Sequence, residues 1–306
     1  MKLLTSSSVS FTMKNVLIAG GSGLIGTEVS NYLKTNGYGI KILSRKPTDK
    51  TKGIYHWDIA TKTIDLTAFV DTVYVINLTG SSIIGGRWTT KRKKELRDSR
   101  ILSTKFLVDS INQNEVPIQH FIQGSAMGYY GDSGDTLLTE ESPSGIDFMA
   151  QLCVDWEKAS DHLEQGKKST LRIALYLSKA GGVYATLSKL ARYYVASAFG
   201  NGKMWAAYTH QEEFAQLIEG IFTNIVPAGV YNPVGTEPFQ MNDFVSKIAQ
   251  NEGAMAFLPN VPGFILKLIL GEASATLLNS YRVTSPKLKK LNMQKYINLK
   301  EALKAL

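Results

Sequence analysis

Residues 20–26, GGSGLIG, place four glycines in seven positions directly after the apolar run at 16–19. Gly21, Gly23 and Gly26 satisfy G-x-G-x-x-G, while Gly20, Gly23 and Gly26 satisfy G-x-x-G-x-x-G. After a strand and at the opening of a helix, this pattern predicts a dinucleotide pyrophosphate cradle. The chain must turn tightly, bring its backbone against the phosphates and pack helix on strand, and a side chain obstructs each step. Leu24, Ile25 and Gly26, at the helix start, would offer free N–H groups and partial positive charge. The competing reading is an ordinary glycine-rich turn. The end of the next strand selects the dinucleotide. An NAD site would put Asp or Glu there for the ribose hydroxyls. This chain has LSRKP, in which Ser44, Arg45 and Lys46 can hydrogen-bond and neutralise a 2′-phosphate. The expectation is therefore NADP(H), against solvated loop charges. Asp58, after the third strand, could accept from an adenine amino group or simply close a turn.

These groups need a scaffold, and the periodicity supplies one. KNVLIAG, YGIKILSR, IYHWDI, VDTVYVINLTG, IQHFIQGSA and STLRIALYL read as six strands. Helical patterns fall after the first, fourth and fifth. Strands alternating with helices predict an α/β fold, a Rossmann-like doubly wound parallel sheet. Past residue 178 the pattern changes, and a smaller C-terminal α/β lobe is expected. The division read from the sequence is a Rossmann domain at 13–235 and a substrate lobe at 236–306. Residues 1–12 read as a disordered tail or an upstream mis-start, because Met13 opens MKNVLIAGG like a natural beginning.

The 306 residues carry a formal net charge of +8 and one cysteine, Cys153, which excludes an internal disulfide and fits a reducing cytoplasm. The densest basic cluster, KRKK at 91–94, reads as a solvated helix face, not a nucleic-acid site. No apolar run approaches the roughly 20 residues that span a bilayer, and the N-terminus lacks the apolar region of a signal peptide. The expected partner is a small-molecule substrate, with no nucleic acid and no membrane; a homodimer stays open. The four histidines have no metal-ligand spacing, so no metal site is expected.

Several longer blocks occur in order: AGGSGLIG, VINLTGSSI, Arg87–Trp88, ELRDSRILSTKFLVDSI, GSAMGYYGD, TEESPSG, DFMAQLCVDWEKA and LILGEASATLLNSYRVTSPKLKKL. In them the chain resembles an atypical, extended short-chain dehydrogenase/reductase. More narrowly, it resembles the NAD(P)-dependent epimerase-like family with a C-terminal domain of unknown function. The resemblance implies that Leu78, Thr79 and Gly80 lie along the cofactor's ribose and phosphates. It implies that Glu95 and Arg100 approach the cofactor, with Arg100 the better candidate; the alternative is an exposed helix charge pair.

Typical relatives transfer a proton through Tyr in Tyr-x-x-x-Lys, whose lysine lowers the tyrosine pKa. Here Phe148 and Leu152 stand at those places, and neither can transfer a proton. What remains is GSAMGYYGD: Ser125 to orient a carbonyl, and Tyr129 or Tyr130, with Tyr130 preferred, to move a proton. The tyrosines could equally wall the pocket by packing. Downstream, His210 and Glu213 keep part of a family segment that Gln211 and Glu212 change. The resemblance implies an NADP(H)-dependent oxidoreductase or epimerase acting on a small carbonyl or sugar-nucleotide-like substrate. The alternative is a catalytically weak or inactive NADP(H)-binding regulatory protein, since some relatives carry a cell-division label and fold alone is a poor guide to chemistry.

Overall fold

A computed structural model describes residues 13–306, so the reading of residues 1–12 lies outside the described residues. The chain runs β1 (Asn15–Ala19), α1 (Leu24–Thr35), β2 (Gly39–Ser44), β3 (Ile54–Asp58), β4 (Thr63–Ile64), β5 (Thr72–Asn77), α2 (Thr90–Gln113), β6 (His120–Ala126), β7 (Leu137–Leu138), α3 (Phe148–Lys158), β8 (Lys167–Ile173), β9 (Leu175–Leu177), α4 (Gly182–Arg192), β10 (Trp205–Ala206), β11 (Tyr208–His210), α5 (Gln211–Phe222), β12 (Val230–Tyr231), β13 (Phe239–Gln240), α6 (Met241–Asn251), α7 (Gly263–Leu270) and β14 (Arg282–Val283), with short helical turns between and after.

Eight strands form one sheet in the order β12-β8-β6-β5-β1-β2-β3-β4. Every pairing is parallel except β3 with β4. The central strands are buried almost throughout, as strands covered on both faces must be. On one face Val29 and Leu33 of α1 meet Phe214 and Ile218 of α5. On the other, Leu17, Val75 and Phe121 meet Leu107, Val108 and Ile111 of α2. The sheet is thus doubly wound, and its strand order reverses at β1. In such sheets ligands bind outside the carboxyl ends at the reversal.

The second lobe does not begin at residue 236. Leu177 and, from α4, Tyr184 and Leu187 share one core with Phe244 and Ile248 of α6 and Leu299 and Leu303 near the C-terminus. β10 also pairs antiparallel with β13. This core is therefore built from parts of 175–207 together with parts of 236–306. The chain returns to the main sheet between them through α5 and β12, a crossing that local periodicity does not reveal. Cys153 lies in the core, where burial pushes its thiol up to about 12.

Candidate cofactor cavity and a second pocket

Gly20 leaves β1 at φ +83°, a conformation that glycine adopts without strain. A Cβ there would lie 2.6 Å from the Leu78 carbonyl oxygen. Its absence lets the loops after β1 and β5 meet, and the Leu78 N–H donates to the Ala19 carbonyl at 2.8 Å. A Cβ on Gly26 would lie 2.3 Å from the Gly20 carbonyl oxygen, so Gly26 seats α1 against the turn. Gly23 differs. Its φ of −79° suits any residue, and the nearest atom to an added Cβ is the Gly20 oxygen at 3.3 Å. That contact is close, but a shift of a few tenths of an ångström relieves it. What Gly23 borders is a cavity of about 760 Å³.

That cavity has the chemistry of a dinucleotide site. Gly23 caps α1 with no side-chain bond, and no loop carbonyl takes the N–H groups of Leu24, Ile25 or Gly26. A helix end left this way is ready for an anion. The Leu24 side chain packs toward Gly181 and Gly182, and Ile25 packs into the core, so both serve the site through backbone only. Ser44, Arg45 and Lys46 line the far wall. The Arg45 and Lys46 side chains are exposed and form no hydrogen bond or ion pair with a described residue. Trp57 and Ile59 add a flat apolar wall, and Trp57 is braced by Phe106 with ring centroids 6.2 Å apart. Asp58, between them, does not line the cavity: its Oδ1 accepts from the Ala60 N–H at 2.8 Å. The turn reading of Asp58 is therefore the one observed.

Leu78, Thr79 and Gly80 also line the cavity. The Thr79 hydroxyl is tied to Asn77 Oδ1 and Ser103 Oγ, each at 2.7 Å, so this loop is rigid before any ligand arrives. Of Glu95 and Arg100, it is Glu95 that lines the cavity and Arg100 that does not. Arg100 is buried, donates to the Ser81 and Leu96 carbonyls and lies 5.1 Å from the Trp156 ring centre. Burial pushes its guanidinium down to about 10. It clamps the loop from behind, and a Cβ on Gly80 would displace it, meeting the guanidinium carbon at 2.8 Å. Glu95 faces the cavity instead, paired with Arg92 at 2.6 Å. Sequence reasoning missed Ser22, Ser81 and Ser99 in the same wall. Glu95, Ser99 and Ser103 recur every four residues, which puts them on one helix face; that spacing is the signal that finds Ser99.

A second cavity, about 800 Å³, opens between the loop before α2, the start of α3 and the segment following α7. Phe148 is in its wall and meets Trp88 at 5.2 Å between centroids. The Lys93 ammonium sits 5.0 Å from the Phe148 ring centre and pairs with Glu272. Lys267 is a further cation of this wall. Asp147 is occupied as the cap of α3, accepting from Ala150 N–H at 2.8 Å and Asn279 Nδ2 at 3.2 Å. Leu152 lies wholly inside, packed with Leu96 and Met149.

Ser125, Tyr129 and Tyr130 line neither cavity, and a buried arginine explains why. Arg172 on β8 forms a two-point ion pair with Glu157 of α3, at 2.9 and 3.0 Å. The Ser125 hydroxyl donates to the same carboxylate at 2.6 Å. The Tyr130 hydroxyl donates to Asn232 Oδ1 at 2.7 Å and accepts from Arg172 at 3.1 Å; burial pushes this phenol up. Tyr130, the preferred acid/base, is thus locked in the interior. Tyr129 is half-buried, its ring centre 3.4 Å from the Arg172 guanidinium carbon; its hydroxyl has no hydrogen-bond partner among the described residues. His210 and Glu213 are structural. His210 Nδ1 accepts from the Glu212 N–H at 3.2 Å, and burial lowers its imidazole to about 4. Glu213 accepts the N–H groups of Lys295 and Tyr296. The described residues contain no cluster of metal-ligating groups.

The family described as the NAD dependent epimerase/dehydratase family matches residues 16–149. An epimerase family protein of Staphylococcus haemolyticus is 31% identical over 311 residues, covering 96% of this chain and 99% of that protein. A chloroplastic epimerase family protein of Arabidopsis thaliana, an SDR39U1 homolog, is 28% identical over 316 residues, covering 99% and 90%. The crystal structure of human epimerase family protein SDR39U1 with NADPH superposes with a TM-score of 0.86 at 24% identity, covering 95% of this chain and 98% of that one.

Proposed function

This chain belongs to the NAD-dependent epimerase/dehydratase family, and on that premise we propose that it is an NADP(H)-dependent oxidoreductase or epimerase. Its substrate is a small carbonyl or sugar-nucleotide-like molecule held in the second cavity. The observation that carries the reading is the open cavity bordered by Gly23 and by Arg45 and Lys46, two cations whose side chains have no partner among the described residues. The NADPH named with the human relative supports the same cofactor.

In this reading the α1 N–H groups hold the pyrophosphate, Arg45 and Lys46 hold the 2′-phosphate, and Trp57 with Ile59 flank the adenine. The bound nicotinamide supplies hydride transfer. Trp88 and Phe148 exclude water from the substrate. Of the two tyrosines only Tyr129 has a hydroxyl with no partner among the described residues, so it is the candidate proton carrier; because it lines neither cavity, the loop that carries it must shift for the hydroxyl to reach the substrate. Ser125 and Tyr130 hold Glu157 and Arg172 in place beneath it. Tyr129→Phe is expected to lower turnover by about a hundredfold, the lower end for a positioned acid/base. Nicotinamide absorbance with a panel of carbonyl and sugar-nucleotide substrates measures it. Wild-type turnover in that variant would remove Tyr129 from the reaction.

Phe148 and Leu152, at the places of the usual proton-transfer pair, favour a second reading: NADP(H) bound with little or no turnover, as in a regulatory protein. Retained NADPH binding with no turnover across the panel would select it.

A further inference from the structure

Ten of the nineteen large hydrophobic side chains exposed among the described residues fall in two short segments, 190–195 and 255–269. The others are scattered along the chain, as on most soluble surfaces. The stretch just after the first segment, 197–200, runs beside the second. The Val261 N–H donates to the Ala198 carbonyl and the Gly200 N–H to the Val261 carbonyl, both at 2.9 Å. The Ser197 hydroxyl donates to the Pro259 carbonyl at 2.7 Å.

α7 is the centre of this surface. Its sequence, GFILKLIL, is apolar around most of its circumference, yet only Leu266 is buried. Phe264 and Leu268 are 71% and 72% exposed. A helix apolar on all sides is ordinarily covered. This one is fixed in its exposed position, because the Arg87 guanidinium holds the Leu268 and Ile269 carbonyls.

The charge around the surface identifies what covers it. Residues 189–203 and 253–271 contain no aspartate or glutamate. Lys189, Lys203 and Lys267 are exposed there. Of the two flanking acids, Glu252 is largely buried and paired with Arg192, and Glu272 is exposed but paired with Lys93. A second copy docking through this face about a two-fold axis would bring like charges together. An anionic lipid surface offers the opposite charge to the lysines and an apolar layer to the aromatic and aliphatic side chains. No helix of the described residues is long and apolar enough to cross a membrane, so the contact lies along the surface.

We infer that this face rests on an anionic bilayer, with Tyr193, Tyr194, Phe257, Phe264 and Leu268 entering the interface and Lys189 and Lys267 at the headgroups. The same helix rims the second cavity through Lys267, so docking sets that cavity beside the membrane.

The test is co-sedimentation of the full chain with vesicles of phosphatidylglycerol and phosphatidylcholine, against vesicles of phosphatidylcholine alone. Binding to the anionic vesicles is expected to be roughly tenfold stronger or more and to weaken with salt. The double variant Phe264→Ser/Leu268→Ser, at two exposed positions, is expected to keep its thermal midpoint and to lose about a hundredfold in partition. Tyr193→Ser/Tyr194→Ser, on the neighbouring segment, should weaken binding in the same direction. No sedimentation with anionic vesicles, or equal partition of wild type and both double variants, would overturn the inference. So would a concentration-dependent dimer that the Phe264/Leu268 variant dissolves, which would assign the face to a second copy.

Discussion

Gly23→Val is expected to abolish NADPH binding while leaving the protein folded. The native φ of −79° admits valine, and the added Cβ meets only the Gly20 carbonyl oxygen at 3.3 Å. The unfolded chain also loses freedom when glycine is replaced, which offsets small costs. The thermal midpoint should therefore move little. The new methyl groups, however, occupy the space through which a pyrophosphate reaches the first N–H groups of α1. Losing two charge-assisted hydrogen bonds costs about 3–6 kcal/mol, a factor of hundreds to tens of thousands in affinity. Gly26→Val is the contrast. Its Cβ would sit 2.3 Å from the Gly20 oxygen and 2.7 Å from the Gly21 Cα, so that variant should lose stability as well. Calorimetry and thermal unfolding on both variants separate the two roles. A folded Gly23→Val protein with unchanged affinity would reduce the loop to a turn.

Glu157→Ala is expected to be the most destabilising single change at the centre of the molecule. Arg172 and Glu157 have side chains only 5% and 15% exposed. Burial works against the Arg172 charge, and the Glu157 carboxylate more than offsets it, so the guanidinium is held charged more firmly than a free arginine. Removing the carboxylate leaves that charge buried without its partner and strips Ser125 of its acceptor. Breaking such a pair from one side costs about 3–5 kcal/mol. For a protein of this size that lowers the thermal midpoint by about 5–8 °C. The double variant Glu157→Leu/Arg172→Met should recover much of the loss, because removing both charges leaves none unpaired. A midpoint in Glu157→Ala within a degree or two of wild type would mean that water reaches the pair, and that the cluster is not a buried support for Tyr129.

What was legible in the sequence was local. The Gly20–Gly23–Gly26 spacing dictates its own turn, and Ser44–Arg45–Lys46 stands wherever the end of β2 stands. The alternation of strands and helices likewise carried the doubly wound sheet. What was not legible depends on distant partners. Tyr130 looked free because Asn232, 102 positions away, holds its hydroxyl. Arg100 looked like a phosphate ligand because its target, the Ser81 carbonyl, lies in another element. Asp58 was ambiguous until the Ala60 N–H claimed it. The second cavity could not be read at all, since its walls come from residues 88–93, 132, 147–149 and 267–279. The pairing of β10 with β13 across more than thirty residues is likewise invisible to local periodicity. In the KRKK segment Arg92, Lys93 and Lys94 are each paired to a carboxylate, and Lys93 turns into the second cavity.

The central claim is that the cavity between the glycine loop and the end of β2 holds NADP(H) and reads its 2′-phosphate through Arg45. The most direct measurement is calorimetric titration of the wild-type protein and of Arg45→Ala with NADPH and with NADH. Arg45 is exposed and pairs with no described residue, so its removal should not disturb the fold. The wild type should prefer NADPH by at least about tenfold. Arg45→Ala should erase most of that preference, about 1.5–3 kcal/mol for a hydrogen bond to a charged phosphate, while NADH affinity stays the same. Equal wild-type affinity for the two cofactors, or a preference that survives in Arg45→Ala, would contradict the account.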